Sequence, residues 1–182
     1  MQPAILSRAA VGPTPWIPVN SRAKDFKVGL GVELSQGATI TYTVQHCFAN
    51  FQEDQWRYVS LSQTLTTITV TDSGADGNGH GLVAGDWVRF RGSGDATNTD
   101  GIDFTIATTP SDTTYTITST TSQSLTGLPG TKVLSARVFP HASLAAQTAR
   151  GNGSYDFPVR AVRLNITAYT GGRAYLEVTQ GQ

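Results

Sequence analysis

The chain is poor in cysteine and in charge. Cys47 is the only cysteine among 182 residues, which excludes an intrachain disulfide and a zinc site built from several cysteines. Charged residues make up 14%, well below the usual quarter, and Lys+Arg and Asp+Glu both number 13. Because this balance gives no net charge to attract nucleic acid or an anionic membrane, we expect neither as a partner.

Long apolar segments are also missing. Nothing approaches the run of about 18 apolar residues that a membrane helix needs. The first ten residues contain Ile5 and Leu6 but lack the apolar core of a secretory signal. We therefore expect a protein that is made in the cytoplasm, remains soluble and is stabilised by packing or assembly.

The sequence contains no recognisable catalytic motif. A Ser-His-Asp hydrolase would need His46, His80 or His141 beside a nucleophile, usually in a G-x-S-x-G turn, and that turn is missing. The glycine patterns that bind nucleotide phosphates are missing too. Aspartates crowd residues 72–112, but their Asp-Gly and Asn-Asp pairs are typical of turns, and their spacing is not that of a calcium loop. We expect no enzyme activity, cofactor or metal.

Three single residues have both a structural and a chemical interpretation. Cys47 ends an alternating run, and we interpret it as a buried thiol rather than a nucleophile. His46 has the inward register of that run, which favours a hydrogen-bonded histidine over a metal ligand. We interpret His80 as a turn residue whose ring bonds nearby backbone.

Regular alternation of apolar and polar residues marks the two stretches Phe26–His46 and Val159–Gln180 as half-buried strands. Each stretch is divided by a turn, at residues 35–37 in the first and at Gly171-Gly172 in the second. We interpret each as a β-hairpin. Between the hairpins, Phe48, Phe51, Trp56 and Tyr58 are interpreted as an aromatic cluster that closes one end of a core, or as a sugar-binding platform.

The Thr/Gly/Asp-rich middle of the chain predicts a separate module. We predict an all-β protein, a jelly-roll-like β-sandwich made of residues 25–63 and 131–182, with a small β-barrel-like module inserted at 64–130. Residues 143–150 have the composition of a single helical turn. The module carries four short alternating runs: Thr67–Thr71, Asp86–Arg91, Asp103–Thr108 and Thr114–Ser119.

Two pairs of residues are candidates for an interface. Residues 1–24 contain four prolines and no periodic pattern, which predicts an extended arm. The arm carries Trp16 and Ile17, so we expect it to lie on its own sandwich or on a neighbouring subunit, and the alternative is a partly ordered tail. Arg89 and Arg91 project from one face of a strand, as salt-bridge or interface residues.

Parts of the sequence resemble known proteins. Val28–Gly31, Thr39–His46, His141–Leu144 and Tyr155–Ala168 resemble a small virion structural protein of tailed phages. Within the insert, residues 79–90 and 104–106 resemble a β-module found in phage tail and head proteins. The resemblance implies a structural role and offers no catalytic residues.

The function that this resemblance implies is a capsid decoration or cement protein that stabilises the phage head. The expected location is then the virion, and the expected partners are the major capsid protein, other virion proteins and further copies of the chain. Two alternatives remain open. One is a tail, collar or fibre component, and the other is a carbohydrate-binding module that uses Trp56, Tyr58, Trp87 or Tyr175.

Overall fold

The alternation in the sequence is realised as β-strands. The computed structural model describes residues 3–49, 56–72, 77, 79–94 and 99–180. For residues 123 and 125–130 it describes the backbone alone. Every regular element in these ranges is a strand, which confirms the all-β prediction. The strands are β1 (Ala4–Arg8), β2 (Gly12–Pro13), β3 (Ile17–Pro18), β4 (Val28–Leu34), β5 (Thr39–Cys47), β6 (Arg57–Thr71), β7 (Trp87–Arg91), β8 (Asp103–Ser111), β9 (Thr114–Ala136), β10 (Phe139–Pro140), β11 (Gly151–Tyr155), β12 (Ala161–Gly171) and β13 (Ala174–Gln180).

The chain divides into two units at other positions than the sequence predicted. The first unit comprises Met1–Phe48 and Phe139–Gln182, and the second comprises Ala49–Val138. Residues 49–63 and 131–138, predicted to belong to the sandwich, therefore belong to the second unit. The predicted boundaries were wrong because each falls inside a continuous strand, β6 or β9, that pairs with the other along its length.

The first unit is a sandwich of two antiparallel sheets. One sheet has the order β1-β13-β4-β11, and the other has the order β10-β5-β12-β2, with β3 also pairing with β12. Strands from the two ends of the chain thus lie side by side, β4 with β13 and β5 with β12. Their inward side chains form one core, which includes Val28, Leu30, Val32, Ile40, Tyr42, Val44, Val162, Leu164, Ile166, Leu176 and Val178.

Both predicted hairpins are wrong. β4 and β5 follow each other across a tight turn, closed by the Ala38 amide donating to the Ser35 carbonyl at 3.0 Å, but they lie in different sheets. β12 and β13 are separated in the same way. Alternation and a short turn suit a hairpin and an arch between sheets equally well, because in both cases one face of each strand is buried.

The two arches contact each other. The Ser35 amide donates to the Arg173 carbonyl, and the Arg173 amide donates to Ser35 Oγ, both at 2.9 Å. Gly172 has a φ of +92°, and a Cβ there would lie 2.5 Å from the Cβ of Ala38. Glycine therefore serves both the turn geometry and the close approach of the arches.

The N-terminal segment crosses from one sheet of its own sandwich to the other. β1 pairs with β13, so that Leu6 lies opposite Leu176, while β2 and β3 pair with β12. Between these strands, the buried Thr14 exchanges two hydrogen bonds with the Leu164 backbone, at 2.8 and 3.1 Å. The segment is thus hydrogen-bonded to both sheets.

Residues 143–150 form turns and bends rather than the predicted helical turn. The Leu144 carbonyl accepts from the Val44 amide at 2.8 Å, and the Gln147 carbonyl accepts from the Tyr42 amide at 2.9 Å. These backbone groups serve β5 and so are unavailable for a helix. Ala146 has a φ of 53°, which is outside the helical region.

The second unit is a small closed barrel with five strand positions, which four strands supply because the two ends of the long β9 each take one position. Its sheet has the order β6-β9-β7-β8, and β8 also pairs with β9, which closes the sheet on itself. The four alternating runs predicted in this region lie in these strands, except that Asp86 precedes the first residue of β7. The barrel core contains Val59, Leu61, Ile68, Val70, Leu82, Val88, Phe90, Phe104, Ile106, Tyr115, Ile117 and Val133.

Candidate interaction surfaces

Three exposed phenylalanines surround His46 at one end of the sandwich. Phe48, Phe139 and Phe157 are 49%, 36% and 47% exposed, whereas His46 is buried. β10 brings Phe139 directly opposite His46, and their rings stack with centroids 5.6 Å apart. Phe48 and Phe157 meet the same imidazole edge-on at 5.3 and 5.7 Å. These four residues with the buried Tyr155 are called the aromatic end below.

The base of the aromatic end is electrically neutral. His46 Nδ1 and the Tyr155 hydroxyl share a hydrogen bond of 3.0 Å, which confirms the prediction of a hydrogen-bonded histidine. Burial lowers the pKa of His46 to about 4, with a smaller contribution from the nearby His141. Burial also raises the pKa of Tyr155. At neutral pH both groups are uncharged, so the phenylalanines rest on an uncharged, hydrogen-bonded support.

The neighbouring polar groups are also engaged. His141 Nδ1 accepts from the Ser143 amide at 3.2 Å, and its Nε2 lies 3.1 Å from the Ser154 carbonyl, which assigns the proton to Nε2. Cys47 is fully buried, as predicted for a structural thiol. This end of the sandwich therefore presents an apolar surface rather than a reactive group.

The residues of the predicted aromatic cluster are divided between the two units. Phe48 belongs to the sandwich, but Trp56 and Tyr58 belong to the barrel, and Phe51 lies outside the described residues. The sequence did not predict that Phe139 and Phe157 are the ring partners of Phe48. The pairing of β10 with β5 brings Phe139 to His46, and no local pattern signals a contact over such a distance in sequence.

The barrel presents a second surface, formed by cations that lie over aromatic rings. In the register of the sheet, Tyr58 lies opposite Lys132, which in turn lies opposite Arg91. The Lys132 ammonium is 4.7 Å from the ring centroid of Tyr58, and the Arg91 guanidinium is 4.3 Å from that of Trp56. Tyr58 is 70% exposed. The rings attract the cations and restrict their positions.

The four predicted interface residues lie in two places. Trp16 and Ile17 are on the sandwich, where the Arg163 guanidinium lies 4.4 Å over the Trp16 ring and Ile17 packs against the core. Arg89 and Arg91 are on the barrel, on the same face of β7. Arg89 forms a 2.6 Å ion pair with Asp103, so its charge is largely matched.

The four residues named for sugar binding do not form one platform. Trp87 is buried with 1% exposure, and Tyr175 belongs to β13 of the sandwich rather than to the barrel. Trp56 and Tyr58 already carry a cation over one face of the ring. Because Trp87 is buried, a sugar could not stack on all four rings.

His80 and several aspartates of the barrel are engaged in contacts within it. Asp72 pairs with Arg57 at 2.5 Å, and Asp86 accepts from the Val83 and Val138 amides, both at 2.9 Å. The His80 ring lies 3.0 Å from the Leu82 amide and 3.1 Å from the Ser111 carbonyl, as predicted for a turn histidine. Asp76 and Asp95 lie outside the described residues. Among the described residues, no three His, Cys, Asp or Glu side chains are grouped to hold a metal ion.

Comparisons with known proteins give no further identification. A scan against protein-family models, a search of curated proteins and a search of solved structures each found no match. In the ranges that the structure describes, no helix is long and apolar enough to cross a membrane.

Proposed function

We propose that the chain is a structural protein of a phage virion, and that it decorates and stabilises the capsid. The four segments that carry the resemblance supply β4, β5, β12 and the 141–144 turn, and all belong to the sandwich unit. Segments that lie far apart in sequence thus contribute to one folded body, as expected if they descend together from a virion protein of this kind.

The observation that carries the proposal is the exposed aromatic end. Phe48, Phe139 and Phe157 place apolar area at the surface on a hydrogen-bonded support, which is the composition found at the centres of protein interfaces. A single contact of about 800 Å² per partner would be modest. On a capsid the same contact is repeated over the whole lattice, so that modest contacts hold an oligomeric layer in place.

The experiment is a count of copies in purified particles, by quantitative mass spectrometry. A decoration protein follows the capsid lattice and is present in hundreds of copies by that geometry. A count near a dozen would instead support the tail, collar or fibre alternative, since those parts are rings or fibres of low symmetry. Absence of the chain from particles would refute both.

A binding experiment then tests the aromatic end itself. Heads stripped of the chain are incubated with the wild-type chain and with Phe157→Asp, which places a charge on the exposed apolar surface. We expect Phe157→Asp to reduce attachment at least about tenfold, because truncating a central aromatic contact costs about 1–2 kcal/mol or more. Leu65→Asp, at a 69% exposed position on the barrel, is the matched control and should attach normally.

A further inference from the structure

The edges of the sandwich sheets differ in how open they are to another strand. β2, β3 and β10 are two residues long, and each contains a proline, which lacks the amide proton that a ladder needs. One backbone group of β11 is already engaged, since the Ser154 carbonyl lies 3.1 Å from His141 Nε2. This carbonyl is therefore less available to an added strand. β1 differs from all four.

β1 is a continuous edge with little protection. It runs for five residues without a proline, and its pairing with β13 shows no shift in register. Among the described strands β1 pairs with β13 alone, so its other side remains an edge of the sheet. Natural edge strands are usually blocked by prolines, bulges or charged side chains.

The side chains of β1 add apolar surface to this edge. Ile5 is 61% exposed, more than any other large hydrophobic residue described in the sandwich. The only charged residue of the strand is Arg8, and its guanidinium donates to the Ala10 and Val11 carbonyls at 3.0 and 2.7 Å. The charge is thus held against its own loop, and an exposed apolar edge of this kind is a site for strand addition.

We propose that β1 pairs antiparallel with β1 of a second copy of this chain. In each copy, β1 belongs to the four-stranded sheet β1-β13-β4-β11. The two copies of this sheet would then form one sheet of eight strands across a two-fold axis. With the axis at Leu6, Ile5 faces Ser7 and Ala4 faces Arg8, so that no like charges meet. The two Ile5 side chains become diagonal neighbours on one face and cover each other. This self-complementarity selects a copy over an unrelated strand.

The expected association is weak and does not depend on the virion role. A five-residue edge is smaller than a standard interface, so we expect a dissociation constant on the order of 10 µM to 1 mM. Self-association of the isolated chain tests this proposal, whereas the copy count in particles tests the proposed function. Either can fail while the other holds.

Sedimentation equilibrium of the full chain over this concentration range is the test. The wild-type chain should show a monomer–dimer equilibrium, and Ile5→Lys should weaken it at least about tenfold by placing like charges at the pairing edge. Leu65→Lys makes the same chemical change at a 69% exposed position of the barrel and should leave it unchanged. A chain that remains monomeric at about 1 mM, or equal weakening by both variants, would overturn the proposal.

A cross-linking variant checks the register without relying on affinity. Leu6→Cys should give a disulfide-linked dimer under mild oxidation, because the residue on a two-fold axis meets itself. Glu177→Cys, on the neighbouring strand β13, should remain monomeric. Covalent dimers from Glu177→Cys but not from Leu6→Cys would show that the copies meet elsewhere.

Discussion

The buried His46 should make the stability of the sandwich depend on pH. The folded pKa of about 4 lies below the ordinary value of 6.5, so the unfolded chain binds more protons between these values. The stabilisation by neutral His46 is complete above pH 6.5 and is lost as the pH falls toward 4. With a folded pKa of about 4 against 6.5 in the unfolded chain, we expect the free energy of unfolding to fall by about 2 kcal/mol at pH 5 and about 3 kcal/mol at pH 4.

The measurement is urea unfolding followed by NMR at pH 7 and pH 5, because amide signals report the two units separately. The Leu164 amide, buried in β12, reports the sandwich. His46→Asn retains a group that can bond the Tyr155 hydroxyl but does not titrate. Between pH 7 and pH 5, the free energy of unfolding of this variant should therefore fall by about 2 kcal/mol less than that of the wild-type chain. His80→Asn, in the barrel, is the control. The free energy of unfolding of its sandwich should fall between the two pH values as much as in the wild-type chain.

The ring signals of His46 give an independent check. A titration midpoint near 6.5 in the folded chain would refute the reasoning, since the ring would then be as accessible to protons as in a peptide. An equal loss of stability in wild type and His46→Asn would also refute it, because carboxylates would then account for the whole effect.

Two further pairs of substitutions each test one contact, the first in the sandwich and the second in the barrel. Gly172→Ala should destabilise the sandwich by about 2 kcal/mol or more, through its φ of +92° and its contact with the other arch, whereas Gly171→Ala, with nothing within 4 Å of the added carbon, should cost little. Thermal unfolding of the pair checks this, and equal midpoints would contradict it. In the barrel, Asp72→Asn should cost about 3 kcal/mol because it leaves Arg57 without its buried counter-charge, while the more exposed Asp103→Asn should cost less than about 1 kcal/mol in urea unfolding. A smaller effect of Asp72→Asn than of Asp103→Asn would count against the buried pair.

The sequence predicted which residues are buried better than it predicted which strands pair. Alternation from Val28 to Leu34 correctly marks the inward side chains of β4, because the strand period is two residues whatever its neighbour is. The same pattern does not indicate which strand is the neighbour. β4 pairs with β13, more than a hundred residues away, rather than with β5. The hairpins were predicted wrongly for this reason.

The surfaces were predictable only in part. Alternation places Arg89 and Arg91 on one face of β7, and the structure confirms it. The aromatic end depends on β10 meeting β5 and on Phe157 reaching the same histidine from another loop. Such contacts are set by the packing of distant segments, and a single sequence contains no local signal for them.

The pairing of the two chain ends has a consequence for biosynthesis. The barrel is a continuous segment, 49–138, and all of its strands have been translated by the time Phe139 is added. β4 and β5 must wait for β12 and β13, which are translated after the barrel. Since native contacts between distant segments form slowly, we expect the barrel to fold during translation while the apolar faces of β4 and β5 remain open to chaperones.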